Sequence, residues 1–206
     1  MAESLLVAAV PWGAAARLLV TGAATMGSPG PATVSLAAAG SAYGVRRSAG
    51  FFAGILGGTM LVLVAVVTGV TAALLAVPGV RPVLLGVSAA YILWLAYHVA
   101  TAPPLAARSD TGAPSIRGAL LLAVANPKAW IAIAATVASA QLAHDATVDA
   151  AAKTAILAPL LIVSMSVWLT VGASLAPVLR DPRRARIVNV VLAATLVAAT
   201  ALAVLH

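Results

Sequence analysis

Apolar runs of nearly bilayer length alternate along this chain with short polar connections. A helix needs about 20 apolar residues to cross the hydrocarbon core. Six such runs can be drawn, at roughly 18–42, 48–75, 83–102, 118–140, 154–177 and 187–205, each end good to a few residues. Proline, glycine and charge punctuate the connections. Tyr43-Gly44-Val45-Arg46-Arg47-Ser48 reads as a tight basic turn and Pro78-Gly79-Val80-Arg81-Pro82 as a rigid one. Polar loops are expected over 103–117 and 141–153, and a last one around Arg180, Asp181, Pro182, Arg183, Arg184 and Arg186. The pattern predicts an all-α, polytopic membrane protein with six transmembrane helices, forming one integral membrane domain over 1–206. Residues 1–16 fit either an interfacial helix, with Trp12 at the headgroups, or a plain extension of the first span.

Two proline breaks interrupt this pattern inside apolar runs: Ser28-Pro29-Gly30-Pro31 in the first span and Asn126-Pro127-Lys128 in the fourth. Proline removes a backbone donor and clashes with the preceding turn, and unpaired backbone inside a bilayer must face protein or a wet cavity. Three spans per half place the halves, about 18–102 and 117–206, in inverted orientation. Matching breaks in their first helices then mark two inverted three-helix repeats with broken first and fourth helices, the pattern that points to a transporter's binding site. Depth agrees. Asn126 lies nine positions after Arg117, roughly 13–14 Å along a helix and so near the midplane. Pro29 lies fifteen positions before Gly44, about 22 Å, at the midplane or a little beyond. Both breaks are expected to border one central site.

Composition sharpens this picture. Of 206 residues, 63% are hydrophobic and 8% charged, against about 25% charged in a soluble domain, and the mean hydropathy is +1.08. The net charge of +7 sits in short connections, where it sets orientation, and no nucleic-acid recognition motif accompanies it. The odd connections hold eight arginines (Arg46, Arg47, Arg108, Arg117, Arg180, Arg183, Arg184, Arg186) against three basic residues opposite (Arg17, Arg81, Lys153). That bias puts the odd connections in the cytoplasm and both termini outside. With no cysteine and with His98, His144 and His206 scattered, disulfides, thiol catalysis and an evident metal site drop out, and no cofactor is expected.

Lys128 is the one formal charge that must lie deep in a span, and such a charge is a candidate functional group by default. It would attract a substrate carboxylate or lose its proton during transport; otherwise it snorkels or caps freed carbonyls. Asn126 offers a donor and an acceptor, for a substrate or for its own turn before Pro127. Thr25, Ser28 and Ser35 could add hydroxyls, although such residues commonly bond within membrane helices. Gly50, Gly54 and Gly58 give small-xxx-small steps for close packing, within the chain or across a homodimer. In the third span Trp94 and Tyr97 suit the interfacial belt, while Tyr91 lies deeper and is a candidate to line a cavity. All five acidic residues, Glu3, Asp110, Asp145, Asp149 and Asp181, are expected in loops or at the terminus. That weighs against a buried proton-carrying carboxylate, an acidic-ringed channel and an aspartyl protease.

At these residues the chain resembles the LysE/RhtB (lysine exporter / homoserine-threonine efflux) family of amino-acid translocators. The resemblance begins at Gly27-Ser28-Pro29-Gly30-Pro31-Ala32-Thr33 and runs through Tyr43-Gly44-Val45-Arg46-Arg47-Ser48-Ala49-Gly50. It resumes at Gly86-Val87-Ser88-Ala89-Ala90-Tyr91-Ile92-Leu93-Trp94-Leu95, at Arg117-Gly118 and at Asn126-Pro127-Lys128-Ala129-Trp130. It implies a multi-pass exporter of the bacterial inner membrane, a proton-driven antiporter moving amino acids or close derivatives outward. The implied pathway is lined by the Pro-Gly-Pro and Asn-Pro-Lys breaks. The chain departs from the family at Ala32, where many members have a polar or acidic residue. It departs again in the small-residue run Ala132 to Ala140, which replaces an aromatic and proline-containing stretch. The rival readings are export of another small solute or a metal ion, and a non-transporting membrane assembly protein. An enzyme is not expected, for want of a nucleophile–base set.

Overall fold

The structure is a computed structural model and describes residues 11–69, 115–175 and 181–205, with 93, 97, 100, 101 and 177. Most of the third span, Tyr91 included, lies outside the described residues, as do residues 1–10. Every described element is helical. They are α1 (Trp12–Gly27), α2 (Pro31–Arg47), α3 (Ala49–Val67), α4 (Ile116–Val124), α5 (Pro127–Ala138), α6 (Ala146–Ser174) and α7 (Pro182–Leu205).

Both breaks fall where proline chemistry requires. α1 stops at Gly27, Ser28 and Gly30 are extended, and Pro31 opens α2 at its first position, where its missing N–H removes no hydrogen bond. α4 ends at Val124, Asn126 is extended and Pro127 opens α5, the pair bending by 54°. Among the described residues α3 and α6 are each long and apolar enough to cross a membrane, and the bent α4–α5 pair adds a third crossing if it forms one span.

Five expected boundaries move. The first helix already begins at Trp12, so residues 12–16 extend it. The basic turn at 43–48 is a kink instead: α2 runs on to Arg47 across Gly44, whose φ of 74° suits glycine, and buried Ser48 ties the corner by donating to the Ala39 carbonyl at 3.0 Å. The second span ends at Val67, short of 75, with Gly69 at a φ of 79°. The loop assigned to 141–153 is half helix. The Asp145 carboxylate accepts from Thr147 and Val148 N–H at 3.0 and 2.9 Å and starts α6 at Ala146, while Asp149 and Lys153 pair at 2.6 Å one turn apart on it. Paired charges inside a helix look like loop in a hydropathy profile. In the same way α7 starts at Pro182, so Arg183, Arg184 and Arg186 sit on its first turns.

α2 packs chiefly on α6, and α3 on α4. Both contacts are glycine-mediated. A Cβ at Gly54 would strike the Ile116 carbonyl and Ala119, one at Gly58 would lie 2.6 Å from the Ala123 methyl, and one at Gly172 would run into the Ala37 backbone. Gly50 meets nothing within 4 Å among the described residues, so there the packing role expected of all three second-span glycines belongs to Gly54 and Gly58. Leu157, Leu161, Met165 and Leu169 form a buried stripe four residues apart on α6, while Ile162, Val163 and Val167 point outward. A helix apolar on every side suits a lipid-facing position. Pro159 lies inside α6 without ending it.

Candidate functional site

The two breaks meet. Lys128, in the first turn of α5, reaches across to the end of α1. Its ammonium donates to the Ser28 carbonyl at 2.6 Å, the Ser28 hydroxyl at 2.8 Å and the Pro29 carbonyl at 2.7 Å. A lysine has three N–H donors, and all three are used here. The contact is also favourable for the helix dipole, since a cation sits at a helix C-terminus. Its stem lies over Gly30, where a Cβ would come 2.5 Å from the lysine Cδ and 2.9 Å from its Nζ. Glycine is thus required at position 30 by the side chain of residue 128, and not by backbone conformation.

Ending a helix leaves its last carbonyls without partners, and at α1 the last three find side-chain donors. Thr25 accepts from the Ser28 hydroxyl (2.8 Å), Met26 from the Ser164 hydroxyl (3.3 Å) and Gly27 from the Trp168 indole N–H (3.0 Å). At the second break the Trp130 indole donates to the Val124 carbonyl at 2.8 Å. On the α2 side the Gly30 N–H donates to the Thr33 hydroxyl at 2.8 Å. One turn below the first break, the hydroxyls of Thr25 and Thr136 lie 2.9 Å apart, joining α1 to α5. Thr136 is fully buried and also donates to the Ala132 carbonyl at 2.7 Å.

Between the breaks lies a cavity of about 40 Å³, lined by Gly30, Asn126 and Lys128 with Thr25, Thr33 and Thr59 and walled by Ile133, Leu161 and Met165. It has room for a few water molecules and falls well short of the roughly 300–1,000 Å³ typical of small-molecule sites. Asn126 is 3% exposed, and its Oδ1 accepts no hydrogen bond among the described residues. Its side chain does not cap α5, so the turn-forming role open to it in the sequence is not the one it takes.

Of the residues singled out in the sequence, Gly30, Asn126 and Lys128 line the cavity, while Ser28, Pro29, Pro31 and Pro127 build the breaks around it. Tyr91 lies outside the described residues. Ser35 bonds its own helix, donating to the Pro31 carbonyl at 2.6 Å. Lys128 adopts the capping role weighed against substrate binding. Sequence reading missed Thr136, Ser164 and Trp168, whose partners lie more than 100 positions away.

Family comparison agrees with this architecture. Residues 23–206 match the LysE type translocator family. The chain belongs to that family. The match takes in the last turn of α1 and both breaks, and it makes the protein a membrane translocator. No curated protein and no solved structure gives a match.

Proposed function

We propose that this LysE type translocator is a secondary exporter of amino acids or close derivatives across the bacterial inner membrane. In this reading it is proton-coupled, with six spans in two inverted repeats and both termini outside. The observation that carries the reading is the meeting of two proline breaks, one from each half, around a cavity that sets Asn126, Lys128 and three threonines among mostly apolar walls. Inverted symmetry is supported by the packing: the first broken pair rests on α6 of the second half, and the second broken pair rests on α3 of the first. The arginine asymmetry supports the orientation.

The cavity is too small for an amino acid, so the two breaks must part to admit one. Lys128 is the tie between them. A substrate carboxylate reaching that ammonium must displace the Ser28 and Pro29 carbonyls, so binding and release of the tie are one event. Only a ligand that interacts differently with the tied and untied states shifts the balance between them. The first N–H groups of α2 and α5 lack intrahelical acceptors and add two positive helix ends for the same carboxylate.

The test is amino-acid efflux from exporter-deficient bacterial cells loaded with dipeptides. Release of one or a few amino acids by the wild type, lost in Lys128→Ala with membrane insertion unchanged, is the expected result. No difference from empty cells for any amino acid, despite confirmed membrane expression, overturns the reading.

A further inference from the structure

The ammonium of Lys128 lies between the breaks with no carboxylate beside it. Among the described residues every acidic side chain is committed elsewhere: Asp145 caps α6, Asp149 pairs with Lys153 and Asp181 accepts from the first turn of α7. Three neutral oxygens hold the ammonium instead, the Ser28 carbonyl, the Ser28 hydroxyl and the Pro29 carbonyl. Each offers it a lone pair. The hydroxyl does so because its own proton goes to the Thr25 carbonyl at 2.8 Å. Without the lysine these oxygens are nearly unfilled. The Thr33 hydroxyl stands 3.5 Å from the Ser28 carbonyl, and the Pro29 carbonyl has no second donor among the described residues. Carbonyl oxygens that replace a hydration shell are how a bare monovalent cation is held within a membrane. Unwound backbone at the C-terminus of a half-helix is where transporters place one, and the negative end of the α1 dipole favours it.

From this we infer that the end of α1 is a binding site for one small monovalent cation, ammonium or alkali, which Lys128 keeps filled with its own ammonium, so that export takes no sodium ion from solution. Convergence marks it as a site: oxygens of two successive residues meet at one point, 2.6–2.8 Å from a single nitrogen. Gly30 keeps open the corridor through which the stem arrives, since a Cβ there would fall 2.9 Å from Nζ. The tether makes the cation a fixed part of the protein. It leaves the oxygens when a substrate carboxylate claims it and returns to them without a search through solution. The site stands on its own geometry, whereas the statement about sodium rests on the exporter reading.

The test empties the site and refills it from solution. Thermal melts of the purified full chain in detergent compare wild type, Lys128→Ala and Lys128→Met in the chlorides of ammonium, propylammonium, sodium, potassium and choline at equal ionic strength. A cation that binds the folded state raises the melting temperature. Lys128→Ala removes a piece the size of propylammonium, and Lys128→Met keeps a stem but no charge. Relative to choline, propylammonium should raise the melting temperature of Lys128→Ala by about 2 °C or more. Lys128→Met should respond to ammonium and not to propylammonium, and the wild type to neither. A response shared by the wild type, a response to no cation in either variant, or failure of both variants to fold in every salt overturns the site. For sodium, amino-acid efflux from dipeptide-loaded cells carrying the wild type should be equal in sodium and choline media. Efflux lost in choline overturns the built-in cation and leaves the exporter reading intact. Absence of efflux in both media overturns that reading and the statement about sodium, while the melts still decide the site.

Discussion

At the scale of single residues, Lys128 and Gly30 work as one unit. The ammonium fills the acceptors at the end of α1 only because nothing projects from position 30 into its stem. Gly30→Ala should therefore resemble loss of the lysine charge: efflux falls to the level of Lys128→Met, tenfold or more below wild type, with normal membrane insertion. Wild-type efflux in Gly30→Ala would separate the two residues. Lys128→Arg should not rescue, because a planar fork does not match three acceptors converging on one point. The breaks were legible in the sequence because proline and glycine act locally, whatever packs against them. The duty of Lys128 was legible only as one of several options, since nothing near position 128 shows that Ser28 and Pro29 lie opposite it. Thr136 looked like any threonine in a small-residue run, and its bond to Thr25 follows from which faces of α1 and α5 meet.

At the scale of elements, small residues decide the packing. In lipid no hydrophobic force drives helices together, so close backbone approach does. Gly54→Leu or Gly58→Leu should destabilise the α3–α4 contact by about 1–3 kcal/mol, read as a lower melting temperature in detergent, whereas Gly50→Leu should change little. Equal loss at all three positions would point instead to an interface with a second copy. Charged residues explain the misplaced helix starts. Removing the cap of α6 with Asp145→Ala should cost about 1 kcal/mol, measurable by the same melts. Asp181 caps α7 by accepting from the backbone N–H groups of Arg184 and Arg183 at 3.0 and 2.9 Å, and the Arg184 bond leads in holding its carboxyl below the ordinary aspartate value. A depressed folded value means the cap is complete above the ordinary aspartate range and fades as pH falls through the lowered one. Its carboxyl NMR signal should titrate below the about 3.9 of a free aspartate.

At the scale of the molecule, two broken helix pairs, each resting on a long helix of the other half, border a cavity and are tied together by Lys128 and the Thr25–Thr136 hydroxyls. Hydropathy located most of the described helices, and the proposed orientation rests on the arginines. Cysteine labelling at His144 and Arg183 should report opposite sides of the membrane, cleanly so because the chain has no cysteine of its own. His144 is preferable to Asp145, which caps α6. The proposed export through so small a cavity makes one demand above the others, that the two broken helices part whenever substrate passes. The most direct measurement joins them. In Thr25→Cys/Thr136→Cys, whose native hydroxyls are 2.9 Å apart, oxidation should form a disulfide that stops amino-acid efflux, and reduction should restore it, while each single cysteine variant ignores both treatments. Undiminished efflux through quantitatively cross-linked protein would contradict a transport path between the breaks.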